Sequence, residues 1–144
     1  MKRDEAPIIV EQDFDRSVSD VWNAITSIDE MRKWYFENIP DFKAEVGFCT
    51  QFSVDSGDRS FLHLWEVTEV VPQRKVIYNW KYEGLAGDSL AIFEVSGDDQ
   101  SAHLTFTHRV LQDFPEDIPE FSRESGIEGW TYFINDRLKA HLDR

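Results

Sequence analysis

The chain has 144 residues, of which 41% are hydrophobic and 14% aromatic, and its formal net charge is −13. This length and composition predict one globular domain, residues 1–144, with a substantial core. The charge argues against nucleic acid or an anionic membrane as a partner, because both repel a negative surface. A generally acidic surface explains the charge as well as a specific cationic partner does.

Cys49 is the only cysteine, which excludes an internal disulfide and a thiolate metal site. Residues 1–7 lack the apolar segment of a secretory signal, and no apolar run reaches the about eighteen residues that a membrane helix needs. We therefore expect a cytoplasmic protein without membrane insertion. The histidines lack the spacing of metal ligands, and no phosphate loop or nucleophile elbow appears, so we predict neither a metal site nor a cofactor.

The N-terminal part predicts one strand and two short helices. Apolar and polar residues alternate over 8–15, which is typical of a half-buried strand. Ser17 is suited to cap the helix that follows, and Asp20 is favourable near its positive end. Helical spacing of apolar residues continues to Ile28, and a second short helix is predicted over 29–35.

From Phe48 the hydrophobic period changes to two, which predicts a series of strands joined by turns. The predicted strands cover residues 48–54, 60–71, 76–82, 89–95 and 102–108. If Val71 faces Val76 across the turn at Pro72, then Glu69 faces Tyr78 on the same side of the sheet. The same register places Val67 opposite Trp80.

The last twenty residues predict one amphipathic helix, with Ser125 and Glu128 at the spacing of a capping box. Its apolar stripe consists of Ile127, Trp130, Thr131, Ile134, Leu138, His141 and Leu142. A strand, two helices, a run of strands and a long helix together predict an α+β fold, with an antiparallel sheet and helices on one face.

The segment 67–80 contains a Val-x-Glu-Val-x-Pro turn followed by an apolar-x-Tyr-x-Trp strand. This segment resembles the middle of proteins similar to the activator of the heat-shock protein 90 ATPase. Residues 14–26, Trp34, residues 104–108 and the Gly129-Trp130 pair match the same family in the same order. By this resemblance the chain is identified as a member of the START-like (SRPBCC) helix-grip superfamily.

The resemblance implies a curved antiparallel sheet wrapped around a long C-terminal helix, with a hydrophobic cavity between them. The predicted ligand-binding residues are Phe52, Trp65, Val67, Glu69, Tyr78, Trp80, Phe106, His108, Trp130 and Ile134. The aromatic members either line a pocket or simply form core. Trp65 replaces a residue that is often Gly in relatives, and a large ring there would narrow or gate the cavity.

Two of the polar candidates allow more than one interpretation. His108 lies on the inward face of its strand, where it is either an acid, base or ligand anchor, or a hydrogen-bonded core histidine. Glu69 beside Tyr78 is either an acid with a raised pKa or a satisfied polar pair at the rim.

Three functional hypotheses remain open, because this fold hosts lipid carriers, hormone receptors, cyclases and chaperone regulators. We favour a non-catalytic or weakly catalytic module that binds a hydrophobic small molecule. The alternatives are a cyclase-type or hydrolase-type enzyme that uses His108 and Glu69, and a module that interacts with a chaperone.

Overall fold

The computed structural model describes residues 1–143. Six antiparallel strands form one sheet in the order β1-β6-β5-β4-β3-β2. The strands are β1 Ile8–Phe14, β2 Cys49–Ser56, β3 Arg59–Val71, β4 Lys75–Tyr82, β5 Asp88–Gly97 and β6 Ala102–Gln112. The predicted α+β class is confirmed, and each predicted strand is present with ends shifted by a few residues.

Two short helices, α1 (Val18–Thr26) and α2 (Ile28–Trp34), connect β1 to β2. The Ser17 side chain accepts a hydrogen bond from the Asp20 N–H at 3.0 Å, so the predicted cap of α1 is confirmed. Buried residues from both helices join those of the inner sheet face in one hydrophobic cluster. The sheet therefore has a helix-covered inner face on which the core is built.

The terminal helix runs from Arg123 to Leu142 in three consecutive segments: α3 (Arg123–Thr131), a π-helical segment (Tyr132–Leu138) and α4 (Lys139–Leu142). Its cap is Ser122, whose side chain accepts from the Ser125 N–H, so the predicted capping box at Ser125 is wrong. The helix begins earlier because Ser122 supplies the acceptor first. None of the helices within residues 1–143 is both long and apolar enough to span a membrane.

The buried residues of the terminal helix are four positions apart: Trp130, Ile134, Leu138 and Leu142. In a regular α-helix this spacing drifts by about 40° per step around the axis. A π-helical segment takes more residues per turn, which reverses the drift and holds all four side chains against the sheet. Ile127, which was predicted for the same stripe, is instead 41% exposed.

The predicted register of β3 with β4 is wrong for two reasons. Val71 pairs with Lys75 rather than Val76 at the turn, and a bulge in β3 shifts the register by one more residue. Val67 pairs with Tyr78 and Glu69 pairs with Ile77, so Thr68 is an extra residue in the ladder. The extra residue leaves Val67 buried while both Thr68 and Glu69 are exposed. Because alternation is interrupted at this point, Glu69 faces away from the core.

Candidate functional site

The centre of the molecule, where a ligand cavity was expected, is largely filled by aromatic side chains. Tyr35, at the end of α2, stacks on Trp65 with ring centroids 5.5 Å apart and contacts Trp130 at 6.0 Å. Its hydroxyl hydrogen-bonds the Tyr78 hydroxyl at 2.9 Å. Burial raises the pKa of both phenols, so neither is a source of charge in the core. The α2 end therefore occupies much of the space between sheet and terminal helix.

A pocket of about 160 Å³ remains at one end of this interior. It lies between β3, β4 and β6 on one side and the first turns of the terminal helix on the other. Its lining residues are Met1, Phe36, His63, Trp80, Tyr82, His108, Phe114, Glu120, Gly126, Gly129, Trp130 and Phe133. Neighbouring rings around it lie in contact: Trp80 and Trp130 at 5.2 Å, and Phe36 and Phe133 at 5.0 Å.

Three of the predicted site residues, Trp80, His108 and Trp130, line this pocket. Six others are buried in the surrounding core rather than at the pocket wall: Phe52, Trp65, Val67, Tyr78, Phe106 and Ile134. Whether any of them binds a ligand stays a prediction. Trp65 packs edge-on against Phe52 at 4.8 Å, so it fills interior space.

Glu69 does not belong with the other predicted site residues. Its side chain lies on the outer face, 49% exposed, and forms an ion pair with Lys75. The bulge at Thr68 is the cause, since it moves Glu69 out of phase with Val67. The pairing of Glu69 with Tyr78, and with it an acid–base pair of Glu69 and His108, is therefore wrong.

His63 supplies a hydrogen-bond acceptor to the pocket. Its Nδ1 lies 3.0 Å from the Phe61 carbonyl oxygen. A carbonyl only accepts, so Nδ1 carries the hydrogen and Nε2 holds a lone pair when the ring is neutral. Burial lowers the pKa of His63 to about 4, which keeps the ring neutral near pH 7.

His108 is the second uncharged histidine at the pocket. Burial lowers its pKa to about 4, and its ring lies 6.1 Å from that of Trp130. Neither ring nitrogen hydrogen-bonds to another residue in the described part of the chain, and Nδ1 is sealed from solvent. Nε2 is therefore the nitrogen that remains to meet a bound molecule.

Tyr82 adds a donor to the same wall. Its hydroxyl oxygen accepts a hydrogen bond from Trp80 Nε1 at 2.9 Å. The hydroxyl hydrogen has no acceptor among residues 1–143. Burial raises the pKa of Tyr82 to about 12, so the phenol keeps this hydrogen at neutral pH.

The rim of the pocket consists of Glu120 and the glycines of α3. Glu120 accepts hydrogen bonds from Ser56 Oγ at 2.8 Å and Arg59 Nη1 at 3.1 Å, and its side chain is 26% exposed. The hydrogen bond from Ser56 is the main reason that the pKa of Glu120 is lowered. Gly129 is exposed, and a Cβ placed on it would meet no atom within 4 Å.

Sequence reasoning missed His63, Tyr82, Phe36, Phe133 and Gly129 as pocket residues. A signal for His63 was present, since it shares the inner face of β3 with Trp65 and Val67. Phe36 follows α2 in an irregular segment, where hydrophobic periodicity carries no information. Within residues 1–143, no cluster of three or more His, Cys, Asp or Glu could hold a metal ion.

A larger depression of about 440 Å³ lies elsewhere, on the outer side of the sheet near the β3–β4 turn. Arg74, Lys75 and Glu94 contribute to its wall, and it contains no aromatic ring. A surface without aromatic rings and with charged side chains is not suited to an apolar molecule. The pocket beside His63 and His108 is the stronger candidate because it lies between the sheet and the terminal helix and combines aromatic walls with uncharged polar groups.

A curved antiparallel sheet that packs on a long terminal helix, with a pocket at their junction, defines a helix-grip, START-like protein. Residues 15–143 match the family described as Activator of Hsp90 ATPase homolog 1-like protein. The chain belongs to this family, which confirms the resemblance found in its sequence motifs. No curated protein sequence matches the chain.

Solved structures show the same fold. Protein CV1439 from Chromobacterium violaceum has a TM-score of 0.78 and 18% identity, with 96% of this chain and 97% of that chain covered. The Aha1 dimer from Colwellia psychrerythraea has a TM-score of 0.69 and 18% identity, with 96% of each chain covered.

A third similar structure is DynU16, a protein from the dynemicin biosynthetic locus, with a TM-score of 0.72 and 21% identity. The match covers 96% of this chain but only 48% of DynU16, so the present chain spans about half of that protein.

Proposed function

We propose that this protein binds a small, largely apolar molecule in the pocket between the sheet and the start of the terminal helix. The observation that carries the proposal is an aromatic-lined pocket whose polar groups, His63, His108 and Tyr82, are neutral and incompletely hydrogen-bonded. Enclosed apolar walls with a few polar atoms are typical of small-molecule sites. The family and its fold support binding at this junction.

Gly129 adds to the case for a pocket that admits a ligand. Glycine within a helix is less favourable than alanine by about 1 kcal/mol, and nothing packs close enough to require it here. A side chain at this position would extend over the pocket rim. The glycine therefore keeps the entrance open at a cost in helix stability.

Binding without chemistry is favoured over catalysis by the position of the titratable groups. Glu69 is on the outer face, and Glu120 is held by Ser56 and Arg59 at the rim. His63 and His108 are both neutral bases of low pKa, which makes them weak general bases at pH 7.

The test is a titration with neutral hydrophobic compounds of increasing size, from toluene through 2-naphthol to a medium-chain fatty alcohol. Trp80 and Trp130 line the pocket, so their fluorescence reports occupancy. Native mass spectrometry of freshly purified protein would show any ligand that co-purifies. We expect saturable binding of at least one compound.

A matched pair of variants locates the binding. Gly129→Leu places a large side chain at the rim, whereas Glu128→Leu places the same side chain at the neighbouring exposed position. Binding should weaken in the first variant and persist in the second. If no compound binds the wild type, or if both variants bind equally well, the proposal is wrong.

The family description supports a second candidate, a module that stimulates a chaperone ATPase. This candidate has no support from the pocket itself. Adding the protein to an Hsp90-type chaperone and measuring ATP hydrolysis tests it directly. Stimulation that is unchanged by Gly129→Leu would assign the activity to a surface outside the pocket.

A further inference from the structure

The chemical class of the ligand follows from three properties of the pocket: its free hydrogen-bonding atoms, its size and its charge. This step rests on the proposed function. The first property is a pair of complementary groups on neighbouring strands. The rings of His63 on β3 and Tyr82 on β4 lie 4.7 Å apart, and these residues are cross-strand partners.

His63 offers a lone pair at Nε2, because Nδ1–H is committed to the Phe61 carbonyl. Tyr82 offers a hydroxyl hydrogen, because its oxygen already accepts from Trp80. Neither atom has a partner in the described part of the chain. A ligand hydroxyl both donates and accepts, so one such group can complement both atoms.

His108 points to the same class of group. Its Nδ1 is sealed without a partner, and Nε2 is either a donor or an acceptor according to the tautomer. A hydroxyl oxygen with its hydrogen complements either tautomer. A ketone complements only the donor form, and an ether does the same.

Size restricts the apolar part of the ligand. The pocket has about 160 Å³. Cavities of about 150 Å³ lined by apolar side chains hold benzene. One substituted ring therefore fits, and a fused polycyclic ring or a long acyl chain needs space that Tyr35 and Trp65 occupy.

Charge disfavours acids. Burial lowers the pKa of both His63 and His108 to about 4, so both rings are neutral near pH 7. The carboxylate of Glu120 stands at the rim. The nearest cation is the Met1 ammonium, which already donates a hydrogen bond to the Phe121 carbonyl oxygen. An anionic ligand would therefore lose its water against two neutral histidines and would pass the Glu120 carboxylate at the entrance.

We infer that the pocket selects an uncharged, single-ring aromatic compound with one hydroxyl group, of the phenol class, and rejects carboxylates of the same shape. The hydroxyl lies against His63 and Tyr82, and His108 lines the same pocket from β6, three strands away from β3 in the sheet. The ring lies among Trp80, Trp130 and Phe133.

The experiment compares four probes that differ in one property each: p-cresol, toluene, 4-methylbenzoate and 2-naphthol. Affinities are measured at pH 7 by tryptophan fluorescence and confirmed by calorimetry. We expect p-cresol to bind at least about tenfold more tightly than toluene, the effect of roughly one net hydrogen bond. It should exceed 4-methylbenzoate by at least about tenfold, because that carboxylate loses its hydration against neutral histidines while the Met1 ammonium is already bound by the Phe121 carbonyl.

Two conservative variants assign the contacts. His63→Phe keeps a ring and removes the acceptor. Tyr82→Phe removes the donor together with the oxygen that accepts from Trp80 Nε1. Each should weaken p-cresol by about tenfold and leave toluene unchanged. His103→Gln, on the outer face of β6, should change neither affinity. Toluene binding by a variant also shows that its pocket has folded.

The outcomes separate the ligand class from the binding function. Equal affinity for p-cresol and toluene, tight binding of 4-methylbenzoate, or a preference for 2-naphthol would each overturn the phenol assignment while binding itself stands. The same holds if p-cresol affinity is unaffected in both variants. If none of these probes and no fatty alcohol binds, both proposals fail.

Discussion

At the scale of single residues, three histidines on the sheet differ in protonation because their surroundings differ. His63 and His108 face inward, and burial lowers the pKa of each to about 4. His103 faces outward between Asp13, at 2.6 Å from Nδ1, and Glu11, at 3.0 Å from Nε2. Hydrogen bonds to these carboxylates, first to Asp13, raise the pKa of His103.

These shifts predict opposite effects of pH on stability. An unfolded histidine titrates near about 6.5. Below this pH the histidine of the unfolded chain binds a proton, whereas buried His108 in the folded protein stays neutral down to about pH 4. The free energy of unfolding therefore falls by about 1.4 kcal/mol per pH unit between about pH 6.5 and about pH 4. His103 acts in reverse: its stabilisation is complete below about 6.5 and is lost as pH rises through its raised pKa.

The measurement is the free energy of unfolding in urea between pH 5 and pH 9 for the wild type, His108→Gln and His103→Gln. As the pH falls, the free energy of unfolding of His108→Gln should rise relative to that of the wild type. The free energy of unfolding of His103→Gln should fall relative to that of the wild type. Parallel profiles for all three proteins would show that neither ring changes its pKa on folding.

At the scale of secondary-structure elements, two irregularities keep apolar side chains on the core side. The bulge at Thr68 places two exposed residues, Thr68 and Glu69, in succession and returns Val70 to the inner side. Val70 is partly buried there and packs against the core. The π-helical segment keeps Ile134, Leu138 and Leu142 on the sheet. Each corrects a mismatch between the spacing of apolar residues and the period of the regular structure.

The bulge predicts which deletions in β3 are tolerated. Removing Thr68 leaves Val67 inward, Glu69 outward and Val70 inward in a regular ladder, so the variant should fold with a loss of about 0.5–3 kcal/mol. Removing Glu66 instead shifts all β3 residues on one side of the deletion by one position in the ladder. Apolar side chains such as Val67 then face solvent. Cooperative urea melts should be seen only for the first deletion, and equal behaviour of the two would contradict the bulge.

The helix predicts a trade-off at Gly129. Gly129→Ala should raise the free energy of unfolding by up to about 1 kcal/mol, since an alanine Cβ meets no neighbour. Gly126→Ala is the control, because its Cβ would lie 3.0 Å from both Ile8 Cδ1 and Met1 Sδ. That variant should gain less or lose stability. Thermal melts of the two variants measure these changes. A lower stability of Gly129→Ala than of the wild type would mean that neighbouring atoms pack against this position.

At the scale of the whole molecule, the net charge of −13 is the dominant long-range effect. Individual ion pairs such as Lys2–Glu116 and Lys139–Asp143 are exposed and contribute little each. Repulsion among the many acidic side chains destabilises the compact state more broadly.

This balance predicts stabilisation by salt. Raising sodium chloride from about 0.01 M to about 0.15 M shortens the Debye length from about 30 Å to about 8 Å and should raise the melting temperature. Chloride is preferable to sulfate, which strengthens hydrophobic burial by itself. A melting temperature that falls with salt would show that the surface ion pairs outweigh the net repulsion.

Several features of this protein were determined by local sequence patterns. The inward face of β6 with Leu104, Phe106 and His108, the cap at Ser17 and the order of strands and helices were all predicted correctly. Each depends on residues within one turn or one strand. The family motifs extended this local information to the helix-grip fold, which the structure and the family match confirm.

The position and contents of the pocket were decided only by tertiary structure. The bulge at Thr68 moved Glu69 outside, and Tyr35 entered the space that had been assigned to a ligand. His63 and Tyr82 became neighbours through the pairing of β3 with β4. A hydrophobic period specifies which face of an element is buried, but not which distant side chain fills the space opposite, because that depends on how volumes pack across the whole core.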